Sequence, residues 1–408
     1  MSGIETYDLI VVGGGPIGLS TAWHAARRGR MRVLVLDQYG FLHERSGSSG
    51  NERHWRVQYT QKDIFSLTLQ TRSLWRDLEH LTGRKLIHEI GSLWFGDTEV
   101  ATNEGHIAGT ALAMDEMSVP YEWLAGKEIE KRYGFTNLPK HFEGFLQRDG
   151  GVIDVRGTLT ALFHLSQEHG ALLRGNEAVH EVTPDHDGVT VRTERTTYRA
   201  AKVVLGNGAH VNDLITPWGS GKLDIHLYEM ALVTLRQRND SVERPFWFAF
   251  QQPTEEDTNL FYGFPSNPWS VSDEVRLGPD FEVGALDHAS QATYRPNPRH
   301  VERVTGWVRD HMPWIDPQPV ATSTCLAVLP GDPARQFYLG TAEQLVPGGE
   351  NIVVCASGWA FKLIPLFGKI CAELALDGAT SCDIDRHGLT GLISSTSPAA
   401  PPRAESVR

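Results

Sequence analysis

Residues 9 to 37 confine this chain more than any other stretch. An apolar run, Leu9-Ile10-Val11-Val12, leads into "GGGPIG", then "LSTAWHAARRG", then "MRVLVLD". The order is strand, glycine turn, helix, strand. Gly13 permits a tight turn, Gly15 lets the backbone approach a pyrophosphate, and Gly18 lets the helix lie close on the sheet. Pro16 belongs to the same turn, and the helix N-terminus offers free N–H groups and partial positive charge to an anion. Asp37 ends the second strand at the distance where a carboxylate accepts hydrogen bonds from a ribose. The strand before, the helix behind and the acid after turn a common glycine pattern into an expectation of dinucleotide binding.

The 408 residues leave room for two domains, or for two interleaved lobes around one large ligand, and 40% hydrophobic content supplies a globular core. A formal net charge of −12 offers no basic face for nucleic acid or a membrane surface, so an anionic substrate must meet a local cluster of cations. A few polar residues run directly into "YDLIVV", with no room for a secretory leader, which reads as cytoplasmic. Cys325, Cys355, Cys371 and Cys382 contain no C-x-x-C pair and are too sparse for a disulfide framework or a zinc site. No metal is expected.

Two later sections repeat the nucleotide-domain logic. One, "RGTLTALFHLSQEHG" to "KVVLGNGA", reads as helix, short strand, hairpin and buried strand. The other, "ENIVVCASGWAFKLIPLFGKICAELALDG", reads as buried strand, glycine turn and helix. Between them, "PFWFAFQQP" and "NLFYGFP" read as antiparallel strands of a substrate lobe. The expected class is α/β in a two-lobed α+β arrangement: a Rossmann-type dinucleotide domain with a discontinuous antiparallel-sheet substrate domain. Residues 1–90, 151–218 and 326–390 are assigned to the first, 91–150 and 219–325 to the second, and 391–408 to a disordered tail.

On residue type alone, Cys325 in "TSTCLAVLP" is a buried structural thiol, and Trp123, Trp247 and Trp307 are core. Arg53 and Arg56, three apart in "ERHWR", share one side of a short helix or are both extended. Lys362 lies just inside a helix. Without further context each of these cations is a solvated charge.

With the fingerprint, "STC" and "SGWAFK" together, the chain resembles the sarcosine oxidase family of FAD-dependent amine oxidases from about residue 6 to residue 390. The longer words "GNERHWRVQYTQ", "HEIGSLWFGDT" and "DTNLFYGF" narrow the resemblance to a branch acting on a cyclic imino acid. The resemblance implies FAD joined by a thioether from Cys325 to the flavin 8-methyl group. Gly13, Gly15, Pro16, Gly18, Asp37, Ser49, Gly50, Arg53, Val179, Gly206, Gly358 and Lys362 would complete the cofactor site. It further implies that Arg56 and Lys362 grip a substrate carboxylate, that Arg53 and Trp359 lie beside the flavin, and that Tyr262 lines the cavity. Glu104 and Asp280 fall near the substrate, as proton acceptors or as partners of an arginine. Arg276 stands where simpler members carry a lysine that promotes reaction with oxygen, and Ser48 and Ser49 replace two histidines. Both departures argue against sarcosine and leave Arg53 and Arg276 as candidates for oxygen activation.

The implied reaction takes piperideine-2-carboxylate to picolinate by two successive two-electron oxidations, with dioxygen reduced to hydrogen peroxide, in secondary metabolism. The rival readings are a two-electron oxidase of a cyclic or N-methyl amino acid and a flavin dehydrogenase using another acceptor. The expected partners are a small cyclic amino or imino acid and dioxygen, acting on a monomer.

Overall fold

The computed structural model describes residues 4–102, 104–238, 242–254, 259–269, 273–279, 285–332, 334–358, 360–390 and 392. The first lobe is built on parallel strands whose order is Leu172–Arg174, Val33–Leu36, Glu5–Val12, Thr197–Leu205. Thr197–Leu205 serves two neighbours. Its first half pairs antiparallel with Gly188–Thr193, which turns back into Val179–Asp185, and its far end runs parallel to Ile352–Ala356. Every residue of Val33–Leu36 and Ile352–Ala356 is buried, the mark of strands covered on both faces.

The helix Pro16–Ala26 carries proline in its first turn, where a missing N–H costs nothing. It is buried from Ile17 to Ala26, with neighbours on both flanks. Ser166, on the helix Val155–Glu168, donates its hydroxyl to Leu19 O at 3.0 Å. On the helix Ile364–Asp377, a Cβ at Gly368 would lie 2.1 Å from Ser20 Oγ, so only glycine permits this approach.

The second lobe is a nine-stranded sheet. From one edge it runs Ala285–Leu286, Ile225–Gln237, Glu274–Pro279, Phe261–Phe264, Phe246–Phe250, Ser92–Gly96, Glu143–Gln147, Glu122–Ala125, and the long strand Ile315–Pro330 also pairs with Ile225–Gln237. All pairings are antiparallel except Phe246–Phe250 with Ser92–Gly96. That parallel join unites strands from distant parts of the chain. Trp247 faces the helix Pro298–His311 and stacks on Trp307, whereas Phe246 and Phe248, by strand alternation, face the other way, toward the first lobe. A small three-stranded sheet of Glu52–Trp55, Gly151–Asp154 and Ile87–His88 lies beside them.

Trp247 and Trp307 are core, as expected, but Trp123 is not. It lies on the outermost strand, Glu122–Ala125, is 41% exposed, and its indole N–H donates to Glu143 at 3.2 Å. An edge strand has no neighbour to cover it. Lys362 lies within the short 3-10 helix Ala360–Leu363, which leads straight into the helix Ile364–Asp377. The tail expectation falls outside the described residues, Leu392 apart. Among the described residues, no helix is long and apolar enough to cross a membrane.

Candidate functional site

Two cavities lie between the lobes and meet at Gly47, Arg53, Gly358 and Phe361, which line both. One, of about 320 Å³, runs over the first lobe and is lined by Gly13, Gly15, Pro16, Asp37, Val179 and Gly206. The other, of about 400 Å³, lies under the second sheet.

The glycine turn fits the dinucleotide role in detail. Gly13 has φ +102°, and a Cβ there would lie 2.7 Å from Gly206 O. Gly18 does not line the channel. Its Cβ would lie 1.8 Å from Gly13 O, so its role is to bring the helix onto the turn. Gly15 does line it, and a Cβ there would meet no protein atom within 4 Å, which leaves its approach open for a ligand. Asp37 is buried and fixed by two backbone donors, Gly14 N at 2.7 Å and Tyr39 N at 2.8 Å, with lone pairs still available on each oxygen.

Strand geometry settles where Cys325 points. Successive side chains on Ile315–Pro330 face opposite ways, so Cys325 lines the larger cavity while Leu326 lines the dinucleotide channel. Two loops press on this strand. Ser49 Oγ donates to Thr324 O at 3.0 Å, a Cβ on Gly47 would lie 2.6 Å from Leu326 O, and one on Gly358 would lie 2.5 Å from Val328 O. Gly50 and Ser49 line the larger cavity beside them. Burial pushes the Cys325 thiol up, and the Arg53 guanidinium opposes it. Cys355 and Cys371 are fully buried, as expected, and Cys382 is half-buried.

The "ERHWR" segment is a strand, Glu52–Trp55, and not a helix, which sends Arg53 and Arg56 to opposite sides. Arg53 donates to three carbonyls, Glu52 O at 2.8 Å, Gly47 O at 2.7 Å and Ser49 O at 2.8 Å, so these bonds fix its position without neutralising its charge. Arg56, 1% exposed, pairs with Glu104 Oε2 at 2.6 Å and lies 4.2 Å from the centroid of the Tyr59 ring. Glu104 lines the cavity and Arg56 stands behind it. Lys362 also lines the cavity; its carbonyl accepts from Trp75 Nε1 at 2.7 Å, and its Nζ lies 5.5 Å from the Tyr59 ring. Burial raises the Tyr59 phenol, yet Lys362 and Arg56 together pull it below its ordinary value.

Arg276 does not line either cavity. It pairs with Glu52 at 2.7 Å, on the sheet face it shares with its cross-strand partner Phe264. Burial pushes the Glu52 carboxyl up to about 7 against the pull of Arg276, Arg53 and the Asn267 amide, which donates to it at 3.1 Å. Tyr262 lines the cavity, its ring lying over Gly278 and 5.9 Å from Phe248. Asp280 and Trp359 lie outside the described residues.

Sequence reading missed Glu52, His54, Tyr59 and the ring wall of Phe246, Phe248 and Phe264. A period-two signal was present for all but Tyr59: Glu52, His54 and Arg56 alternate, as do Phe246 with Phe248 and Tyr262 with Phe264.

A glycine-turn dinucleotide channel opening on a cavity with cations and aromatic walls fits a dinucleotide-dependent oxidoreductase. The chain belongs to the FAD dependent oxidoreductase family, whose model matches residues 8–374. It is similar to NikD, an unusual amino acid oxidase essential for nikkomycin biosynthesis. The open form of that protein superposes with a TM-score of 0.90 at 60% identity, covering 94% of this chain and 97% of the other. Monomeric sarcosine oxidase of Streptomyces avermitilis is 28% identical over 389 residues, 92% of this chain and 95% of that protein. A longer Dictyostelium discoideum protein named for an amine oxidase activity is 31% identical over 413 residues, and this chain spans 37% of its length. The chain is therefore an FAD-dependent amino acid oxidase acting on CH–NH bonds.

Proposed function

We propose that this enzyme carries FAD on Cys325 and oxidises piperideine-2-carboxylate to picolinate, with two dioxygen molecules reduced to hydrogen peroxide. The observation that carries the reading is one cavity that combines a wall of rings, Lys362 and Glu104 with Cys325 at its edge. A flat ring suits an aromatic wall, and a buried carboxylate needs a cation. The likeness to NikD, an unusual amino acid oxidase essential for nikkomycin biosynthesis, supports an amino acid substrate and a role in secondary metabolism. The monomeric relative supports action as a monomer.

FAD, when bound, supplies the two-electron acceptor and passes the electrons to dioxygen. Lys362 holds the substrate carboxylate, and Arg56 fixes Glu104 from behind. Glu104, held in place by Arg56, accepts a proton from the ring as it becomes aromatic. Tyr262 orients the substrate through its hydroxyl. Arg53 stabilises negative charge developing where cavity and channel meet, and it is a stronger claimant to oxygen activation than Arg276, which lines neither cavity.

The test is stoichiometric. Each conversion removes four hydrogens from the ring, so two dioxygen molecules are consumed per picolinate formed. Consumption of one, with a dihydropyridine carboxylate as product, would show a two-electron oxidase instead. Acid-denatured wild-type protein should keep its yellow colour and Cys325→Ser should release it; a colourless wild-type pellet ends the thioether claim.

A further inference from the structure

His54 lines the larger cavity and plays no part in the mechanism above. It lies on the face of the strand Glu52–Trp55 shared by Glu52 and by Arg56 just beyond, each of which has its own ionic partner, Arg276 and Glu104. Phe246 covers one face of the imidazole at 3.7 Å between centroids and 14° between planes, and Phe248 meets it edge-on at 5.4 Å. His54 Nε2 is 2.8 Å from Ser92 Oγ, a fully buried hydroxyl that also accepts from Gln58 Nε2 at 3.2 Å. Gln58 donates to that hydroxyl, and among the described residues His54 Nε2 is the one acceptor within reach of its own hydrogen, so the hydrogen is directed there. The remaining proton of a neutral ring then sits on Nδ1. Nδ1 has no hydrogen-bond partner among the described residues and is not among the occluded atoms, so it is accessible on a residue that lines the cavity. Burial, then the nearby charges of Arg56 and Lys362, hold the ring well below its ordinary pKa, and it stays neutral.

We propose that His54 is a specificity-determining residue: a neutral Nδ1–H donor set in the aromatic wall, which favours flat ring acids bearing an acceptor nitrogen over aliphatic N-methyl ammonium acids. The inference rests on the ring-acid reading above. A protonated amine has no lone pair to offer an N–H donor, whereas a pyridine or imine nitrogen accepts the bond.

The experiment titrates picolinate into the holoenzyme and follows flavin absorbance, for wild type, His54→Phe, which keeps a flat ring without the donor, and His54→Gln, which keeps a donor without the ring. Both variants should bind picolinate more weakly, by about tenfold for the lost hydrogen bond in His54→Phe. The ratio of kcat/KM for piperideine-2-carboxylate to that for sarcosine should fall with it. Nitrogen-15 NMR of histidine-labelled wild type should show Nδ1 protonated and Nε2 bare at pH 7. Unchanged picolinate affinity in a folded, flavin-bearing variant, or a proton on Nε2, overturns the proposal. If the wild type neither binds nor oxidises any ring acid, the functional reading falls and this inference with it, whereas ring-acid turnover indifferent to position 54 sinks the inference alone.

Discussion

A carboxyl that sits almost out of water beside two guanidinium groups still loses more by desolvation than it regains from them. That is the condition of Glu52, 2% exposed and pushed to about 7. Between about 4.5 and about 7 the folded protein holds a proton there that the unfolded chain has released. This group's contribution is therefore present at low pH and is lost as pH rises to 7, by about 3 kcal/mol. Melting midpoints measured across that window should show a flatter pH slope in Glu52→Gln than in wild type; parallel slopes would place the titration elsewhere. Arg56 and Lys362, similar cations in sequence, should fail differently. Arg56→Ala leaves Glu104 buried without its cation and should cost roughly 3–5 kcal/mol of stability. Lys362→Ala should mainly raise the substrate KM, roughly 2–5 kcal/mol of lost binding, while the flavin stays attached. Chemical denaturation and steady-state kinetics separate the two outcomes. That Arg56 backs Glu104 could not be read from "ERHWR", because the pairing spans 48 positions and depends on strand alternation.

At the scale of elements, the glycine turn was legible because its chemistry is local. A tight turn, a close helix and an open approach each demand glycine at a fixed offset, and the structure separates their roles. Gly18→Ala drives a methyl group into Gly13 O and should destabilise the protein by about 1–3 kcal/mol even without cofactor. Gly15→Ala meets no protein atom, so its apo stability should match wild type while FAD affinity drops. Thermal melts of the two apo variants, with FAD titrations, test the distinction; equal destabilisation would contradict it. The cavity wall was less legible. "FWFAF" and "FYGF" announce strands, but which alternate set faces the ligand depends on what covers the opposite face, here Trp307 on a helix some fifty residues away. Trp123 shows the same dependence in reverse: nothing in its immediate sequence marks Glu122–Ala125 as the edge of the sheet.

At the scale of the molecule, the cofactor channel is walled by both lobes: Gly13 and Gly206 come from one, and Leu326 and Val328 from the long strand of the other. FAD bound there stabilises the folded state by mass action. In Cys325→Ser the melting midpoint should rise with added FAD, with about 2.7 kcal/mol gained at a hundredfold excess over Kd. With the cofactor attached as proposed, the wild-type midpoint should be indifferent to free FAD; a concentration-dependent wild-type midpoint would argue against the thioether. The sequence by itself determined the dinucleotide turn, the two-lobed class and the flavin family, because these follow from local backbone demands and from words of contiguous residues. The tertiary structure alone decided that Cys325 and Leu326 face different compartments, that Arg276 is tied to Glu52, and that His54 enters the cavity. Those facts depend on strand register and on which charges burial brings together, and neither quantity is written in any one stretch of the chain.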